Sequence, residues 1–342
     1  MTLFRLAMLQ VLILFSLFCS SCKRTGASAT GFYYWKSTFQ LNKQQRSLIN
    51  SNTPLYIRMF DIQWDAKTAK PYPEAKATFK QSSLNSHFIP VVFITNKTFE
   101  KLNKDSVASL ALKTNILLQQ LTKANGWGYK KIQIDCDWTL TTKEAYFSFL
   151  KSLKSISKKQ TEATIRLHQV KYRLKTGVPP VDRGVLMFYN MGKLSPNVKE
   201  PNSIYNPVAA EKYLSTLHTY PLHLDIALPV FSWSLHIRDD KIVQVYAEIG
   251  AKELSNTANF AQTDIPNVYK ATRSFFKEGF YIKENDLFKF EESNKQTLMQ
   301  AADQVAAHLS KDSKRTIIYY ELSNLNFSSF KAQDFKEISA HF

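Results

Sequence analysis

Eight short apolar or β-rich runs, with helically spaced stretches between them, constrain this chain more than any other feature. The runs are Phe32–Trp35, Leu55–Phe60, Ile89–Ile94, Ile132–Asp135, Ala163–Leu167, Val185–Tyr189, Leu222–Leu228 and Thr316–Tyr320. Between them, Asn42–Ile49, Ser106–Ala124, Thr142–Ser157, Pro207–His218 and Asn294–Leu309 carry apolar residues at helical intervals, as in Val107, Leu110, Leu117 and Leu121. Alternation of this kind predicts an α/β fold with a parallel sheet covered by helices. Eight repeats predict closure into a (β/α)8 TIM-like barrel. The segment Val170–Arg183, with Pro179 and Pro180, takes the place of the helix after the fifth strand. Residues 234–292 read as an insertion before the last helix, with Lys241–Tyr246 as one strand of a hairpin. No Pro/Gly/Ser-rich linker breaks residues 32–342, so they are expected to form a single barrel domain.

The chain opens with Arg5 as its only charge before an apolar run from Leu6 to Phe18, followed by Cys19-Ser20-Ser21-Cys22. The run is too short to cross a hydrocarbon core that needs about 20 residues, and it reads as a signal peptide over residues 1–21. Small residues stand at the two positions before Cys22, a pattern that resembles a lipobox with Cys22 as the acylated residue. Cleavage before Cys19 would instead put Leu17 and Phe18 at those positions. A plain secretory signal with incidental cysteines is the alternative. With Cys19 removed and Cys22 lipidated, Cys136 has no partner and no disulfide framework is expected. Residues 22–31 read as a short tether. Lys23 after the cysteine resembles outer-membrane sorting, so the expected location is the bacterial cell envelope, lipid-anchored at the outer membrane.

The formal net charge is +17, of which the leader carries only Arg5. A basic exported domain favours anionic surroundings such as acidic glycans or lipid headgroups. A lysine-rich solvated surface is the plainer reading. No zinc-finger, helix-turn-helix or RNA-binding signature is present, so nucleic acid is not an expected partner. Neither a Gly-rich phosphate loop nor a Gly-x-Ser-x-Gly elbow occurs, which argues against nucleotide and acyl-transfer chemistry. No His/Asp/Glu spacing is specific enough for a metal site, and no cofactor is implied.

In a barrel of this type functional residues belong at the C-terminal ends of strands. Trp35, Trp64, Trp138 and Trp233 each fall at or just after a strand end, and only Trp127 precedes one. Four indoles at one mouth would offer flat apolar faces on which sugar rings stack. Core packing is the alternative for any one of them. In the run Lys131–Thr139, strand alternation sends Asp135, Asp137 and Thr139 to one side and Ile134 and Cys136 to the other. Two carboxylates so placed repel unless one is protonated or a cation lies near. Arg58, Arg166, His168 and Asp225 alternate with apolar neighbours on other strands, which predicts an interior network with Asp135 and Asp225 neutralising Arg58 and Arg166. His168 is placed near the mouth, where it could shuttle protons or simply be hydrogen bonded.

The same run resembles the chitinase and endo-N-acetylglucosaminidase barrels of glycoside hydrolase family eighteen, whose fourth strand ends in aspartates at alternate positions followed by Trp-Glu. Asp135-Cys136-Asp137-Trp138 falls on the fourth predicted strand. Leu186-Met187-Phe188-Tyr189-Asn190 ends the sixth where the family carries Met-x-Tyr-Asp, and Ala227-Leu228-Pro229-Val230-Phe231 ends the seventh where it carries Leu-Pro-aromatic. The departures weigh more than the matches. Thr139 stands where the family has its glutamate acid, Ile132 where it has the first aspartate, and Asn190 where it has the aspartate beside Tyr189. The resemblance therefore implies a divergent lipoprotein in which Asp137 and Tyr189 keep a role in binding a sugar substituent. Three readings follow. The first is a membrane-anchored protein that binds a glycan or polysaccharide through Trp35, Trp64, Trp138, Arg166, His168, Asn190 and Trp233. The second is an active glycosidase in which Glu321 or Asp61 replaces the missing acid, with Asp135, Asp137 and Tyr189 completing the site. The third is an envelope protein whose insertion meets a partner.

Overall fold

A computed structural model describes residues 28–81, 86–310 and 314–342. The leader, Cys22 and the tether up to residue 27 lie outside the described residues. Eight parallel strands form the barrel: β1 Ala29–Tyr34, β2 Pro54–Asp65, β3 His87–Ile94, β4 Lys131–Asp135, β5 Gln160–Arg166, β6 Arg183–Met187, β7 Leu224–Pro229 and β8 Thr316–Tyr320. Each strand pairs with the next, and β1 pairs with both β8 and β2, so the sheet closes on itself. Phe32 is the shared register point, opposite Tyr319 on one side and Leu55 on the other.

Period-two alternation divides the core. Tyr33, Tyr56, Val91, Val185, Met187 and Ile318 fill the interior, whereas Phe32, Ile57, Ile134, Leu186 and Ile226 join the outer core beneath the helices. The main helices are α1 Lys43–Ser47, α2 Val107–Ala124, α3 Lys143–Ser157, α4 Leu167–Lys171, α5 Pro207–Leu214, α6 Lys295–Ala306 and α7 Ala332–Ser339. Asn42 and Asn294 cap α1 and α6 by accepting the backbone N–H groups of Gln45 and Thr297. All eight expected strands are present, and the boundaries move for local reasons. The fifth was expected to reach Leu167, but the Arg166 N–H donates to Gln169 Oε1 (2.8 Å) and the chain turns into α4. The helix expected to His218 stops at Leu214 and is followed by a 3-10 turn over Leu217–Thr219.

Two departures from a regular barrel matter below. Between β2 and β3 the described residues contain no α-helix. Instead Lys70–Glu74 folds back antiparallel on the end of β2, placing Pro71 opposite Trp64. After β7 the chain enters an antiparallel five-stranded sheet with its own core of Tyr246, Ile249, Leu254, Phe260 and Phe288. That sheet begins at Ser232, two residues earlier than expected, because Ser232–Ile237 already pairs with Leu287–Glu292. Asp286 ties it together by accepting from Arg238 Nε (2.8 Å) and contacting His236 Nε2 (2.7 Å). At the base of the barrel, buried Asp225 accepts from Arg183 Nε and Nη2 (2.9 and 2.6 Å) and from the Thr316 N–H (2.7 Å). One carboxylate thereby clasps β6, β7 and β8. No helix of the described residues is long and apolar enough to cross a membrane.

Candidate carbohydrate-binding site

The C-terminal ends of β1, β6, β7 and β8 bring aromatic rings into one line at the barrel mouth. Trp35 follows β1 and lies 5.4 Å from Tyr320, the last residue of β8. Tyr320 meets Phe231 at 5.9 Å, and Phe231 meets Trp233 at 5.3 Å. All four are partly exposed. Tyr189, buried beneath them, stacks on Tyr320 at 5.4 Å and meets Phe231 edge-on at 5.9 Å. Edge and offset contacts of this kind are the arrangements that aromatic pairs prefer.

Of the four tryptophans expected here, two belong to this line. Trp138 is a correction: it is fully buried, stacks on Tyr146 (5.3 Å, 27°) and donates Nε1–H to the Thr176 carbonyl (3.0 Å). The strand has ended at Asp135, so its side chain packs into the helical layer. Trp64 is another. It rides on the antiparallel extension of β2 and faces a cleft outside the barrel. Tyr320 and Phe231 occupy the positions that sequence reasoning gave to those indoles. Each is an aromatic at or just after a strand end, the same signal that marks Trp35.

Below the rings lies the charged floor. Asp135 is buried at the end of β4 and accepts from Thr164 Oγ1 (2.7 Å). Burial pushes its carboxyl up to about 6; Arg166 pulls it down and Asp137 pushes it up. Asp137 sits half-exposed on the rim and accepts from both Arg166 Nε (2.5 Å) and Nη2 (3.1 Å). Burial opposes the Arg166 charge, yet Asp137 outweighs it and holds the guanidinium's pKa above its usual value. The expected pairing of Arg58 and Arg166 with Asp135 and Asp225 is corrected accordingly. Arg166 pairs with Asp137, Arg58 with Asp61, and Asp225 with Arg183. Each arginine takes a carboxylate within bidentate reach.

Glu321 is buried directly after Tyr320, and the peptide joining them is cis. It accepts from the Trp35 N–H (3.0 Å), from Asn324 Nδ2 (2.7 Å) and from Ser323 Oγ. Burial raises its pKa against these donors. Asp61 is likewise occupied, and its partner Arg58 also reaches the Trp35 carbonyl (3.2 Å) and lies 5.8 Å over the Trp35 ring. Tyr189 donates to Met187 Sδ (3.2 Å), and burial raises its pKa. Trp233 Nε1 donates to Glu291 Oε2 (2.9 Å), and Lys289 holds that carboxylate from the other side (2.6 Å).

Thr139 departs from expectation, and Asn190 and His168 are exposed. Thr139 is not aligned with Asp135 and Asp137, because alternation ends with the strand. It is exposed in the turn into α3, where its hydroxyl meets Thr141 (2.9 Å) and its N–H donates to Thr142 (2.9 Å). Asn190 is exposed with φ 54° and hydrogen bonds through its backbone to the Ile204 carbonyl (2.7 Å). His168 is exposed on α4, past the end of β5. Gln133, not foreseen, is buried one position pair below Asp135 and accepts from Tyr33 Oη (2.7 Å), fixing the interior ring under the site.

No protein-family model matches the sequence, and no curated protein matches it. Solved structures do match. The C-terminal domain of a candidate chitinase from Desulfitobacterium hafniense is similar with a TM-score of 0.55 at 10% identity, covering 92% of this chain and 99% of that one. A family eighteen chitinase from Cycas revoluta, solved with (GlcNAc)3, gives 0.50 at 13% identity over 92% and 99%. A family eighteen chitinase from the chitin utilization locus of Flavobacterium johnsoniae gives 0.50 at 11% identity over 92% and 94%. The chain therefore shares the (β/α)8 barrel fold of these structures. It resembles the chitinase barrels over about nine-tenths of its length, with the departures at Ile132, Thr139 and Asn190 described above.

The Asp135 environment makes a prediction about pH. Its folded pKa lies above the ordinary 3.8, so the folded state holds the proton more tightly than the unfolded chain. The resulting stabilisation is complete below about pH 4 and is lost as pH rises through about 6. In urea denaturation, wild type and Asp135→Asn are expected to be alike at the acid end. The wild type falls behind by up to about 3 kcal/mol at pH 7.5, at about 1.4 kcal/mol per pKa unit. A difference that does not change across this window contradicts the assignment.

Proposed function

We propose that this protein is a lipid-anchored glycan-binding protein of the bacterial envelope, using the mouth of a glycoside-hydrolase-like barrel to hold a saccharide without cleaving it. One observation carries the reading. The partly exposed rings of Trp35, Tyr320, Phe231 and Trp233 form a continuous apolar line, while Asp137, Asp61 and Glu321 are each committed to ion pairs or hydrogen bonds. Sugar rings present apolar C–H faces to such aromatics, and the Asp137–Arg166 pair at the rim offers both a donor and an acceptor to hydroxyl or acetamido groups. A relocated acid is disfavoured by the same contacts. Glu321 ties the loop after β8 to Trp35, and Asp61 holds Arg58 against the Trp35 ring. Similarity to a chitinase solved with (GlcNAc)3 suggests N-acetylglucosamine oligomers as the first ligands to try.

Titration calorimetry of the full-length protein with the N-acetylglucosamine tetramer is expected to show binding. Trp35→Ala and Trp233→Ala should each weaken it by about 1–2 kcal/mol, roughly five- to thirty-fold in dissociation constant. Unchanged affinity in both variants, with binding intact in the wild type, removes the aromatic line from the site.

The anchoring half of the proposal rests on Cys22 and its flanking residues. β1 starts at Ala29 on the base of the barrel, opposite the mouth. Seven residues from Cys22 to Ala29 span at most about 25 Å, so a lipid on Cys22 would hold the barrel by its base with the mouth facing away from the membrane. Labelled palmitate should enter the wild type, and Cys22→Ala should abolish labelling and either release the protein to the soluble fraction or leave its precursor uncut. Equal labelling of both forms rules the anchor out.

A further inference from the structure

Where the described residues between β2 and β3 hold no helix, a cavity lies outside the barrel and separate from its mouth. The outward side chains of β2, Phe60, Ile62 and Trp64, form one wall. Leu110, Thr114 and Leu117, spaced along one face of α2, form the opposite wall, and Pro71 and Pro73 of the folded-back strand close the side. The cleft has a volume of about 550 Å³, within the roughly 300–1,000 Å³ of small-ligand sites. Its rim is charged in one sense only. Lys70, Lys101 and Lys113 lie on it, no carboxylate lines it, and among the described residues none of the three is paired with an acid. An apolar trough edged by unpaired ammonium groups is complementary to a molecule with a long apolar body and a single anionic end.

We propose that this cleft binds a single-chain carboxylate amphiphile, a long-chain fatty acid, with its chain between β2 and α2 and its carboxylate among the three lysines. The inference is independent of the glycan reading, since it uses no residue of the mouth. Phe60, Ile62, Leu110 and Thr114 are already almost fully buried, so the ligand lies on Trp64, Leu117 and the two prolines rather than entering the core.

The test uses the full-length protein in nanodiscs of neutral phosphatidylcholine and a photoreactive sixteen-carbon fatty acid, with labelled peptides mapped by mass spectrometry. Labelling is expected in the segments 60–73 and 106–117, competed by palmitate and not by hexadecanol. Ser109→Trp, an exposed α2 position on the cleft, should fill it and reduce labelling at least five-fold. The triple variant Lys70→Gln, Lys101→Gln, Lys113→Gln, which touches no core residue, should do the same with an unchanged melting curve. Labelling spread over other segments, or unaltered in both variants, overturns the site. Loss in Ser109→Trp alone, or equal competition by hexadecanol, overturns the assignment of an anionic ligand.

Discussion

The pairing of the first strand with the last is the constraint on which this architecture rests. Closure sets β1 between β8 and β2, and it alone brings Trp35 beside Tyr320, residues 285 positions apart in the chain. The contact is secured twice above the sheet. Glu321 accepts the Trp35 N–H, and Arg58 from β2 reaches the Trp35 carbonyl while its charge is balanced by Asp61. Glu321 and the Asp61–Arg58 pair thus help to hold the aromatic line in place. Buried or half-buried charges persist only when paired, and the same bonds rigidify the mouth.

The insertion after β7 extends the same logic. Trp233 belongs to its first strand, yet its indole is oriented by Glu291, which Lys289 neutralises and Ser203 also contacts from the loop after β6. A rigid antiparallel sheet therefore delivers the far end of the aromatic line, while the barrel delivers the near end. The base of the barrel follows a similar rule: Asp225 joins three strands through Arg183 and the Thr316 N–H.

The sequence displays the barrel because its signal is local. Each strand alternates within itself, and runs such as Ile89–Ile94 and Thr316–Tyr320 declare both their period and their ends. The ion pairs were not legible in the same way. Arg166 ends β5, next to the β4 end that carries Asp135 and Asp137, and which one it takes depends on reach across the rim, where the exposed side chain of Asp137 meets its fork and that of Asp135 is drawn to Thr164. Trp138 and Thr139 show where alternation misleads. Trp138 is expected just past the strand end at the mouth and Thr139 on the side of Asp135 and Asp137, but the chain bends toward α3 after Asp135, so one enters the helical layer and the other a polar turn. That the described residues between β2 and β3 hold no helix left no positive mark in the sequence, and the cleft beside β2 became visible only with the fold.

The central claim is that this barrel holds a saccharide without hydrolysing it, and a product assay addresses it most directly. Incubating the purified full-length protein with N-acetylglucosamine hexamer across pH 4.5–8, and following reducing ends and masses over many hours, should return the hexamer intact in the same solution in which calorimetry detects binding. Sustained release of shorter oligomers, abolished by Asp135→Asn or Asp137→Asn, would contradict the account and make the protein a glycosidase with its acid in a different place.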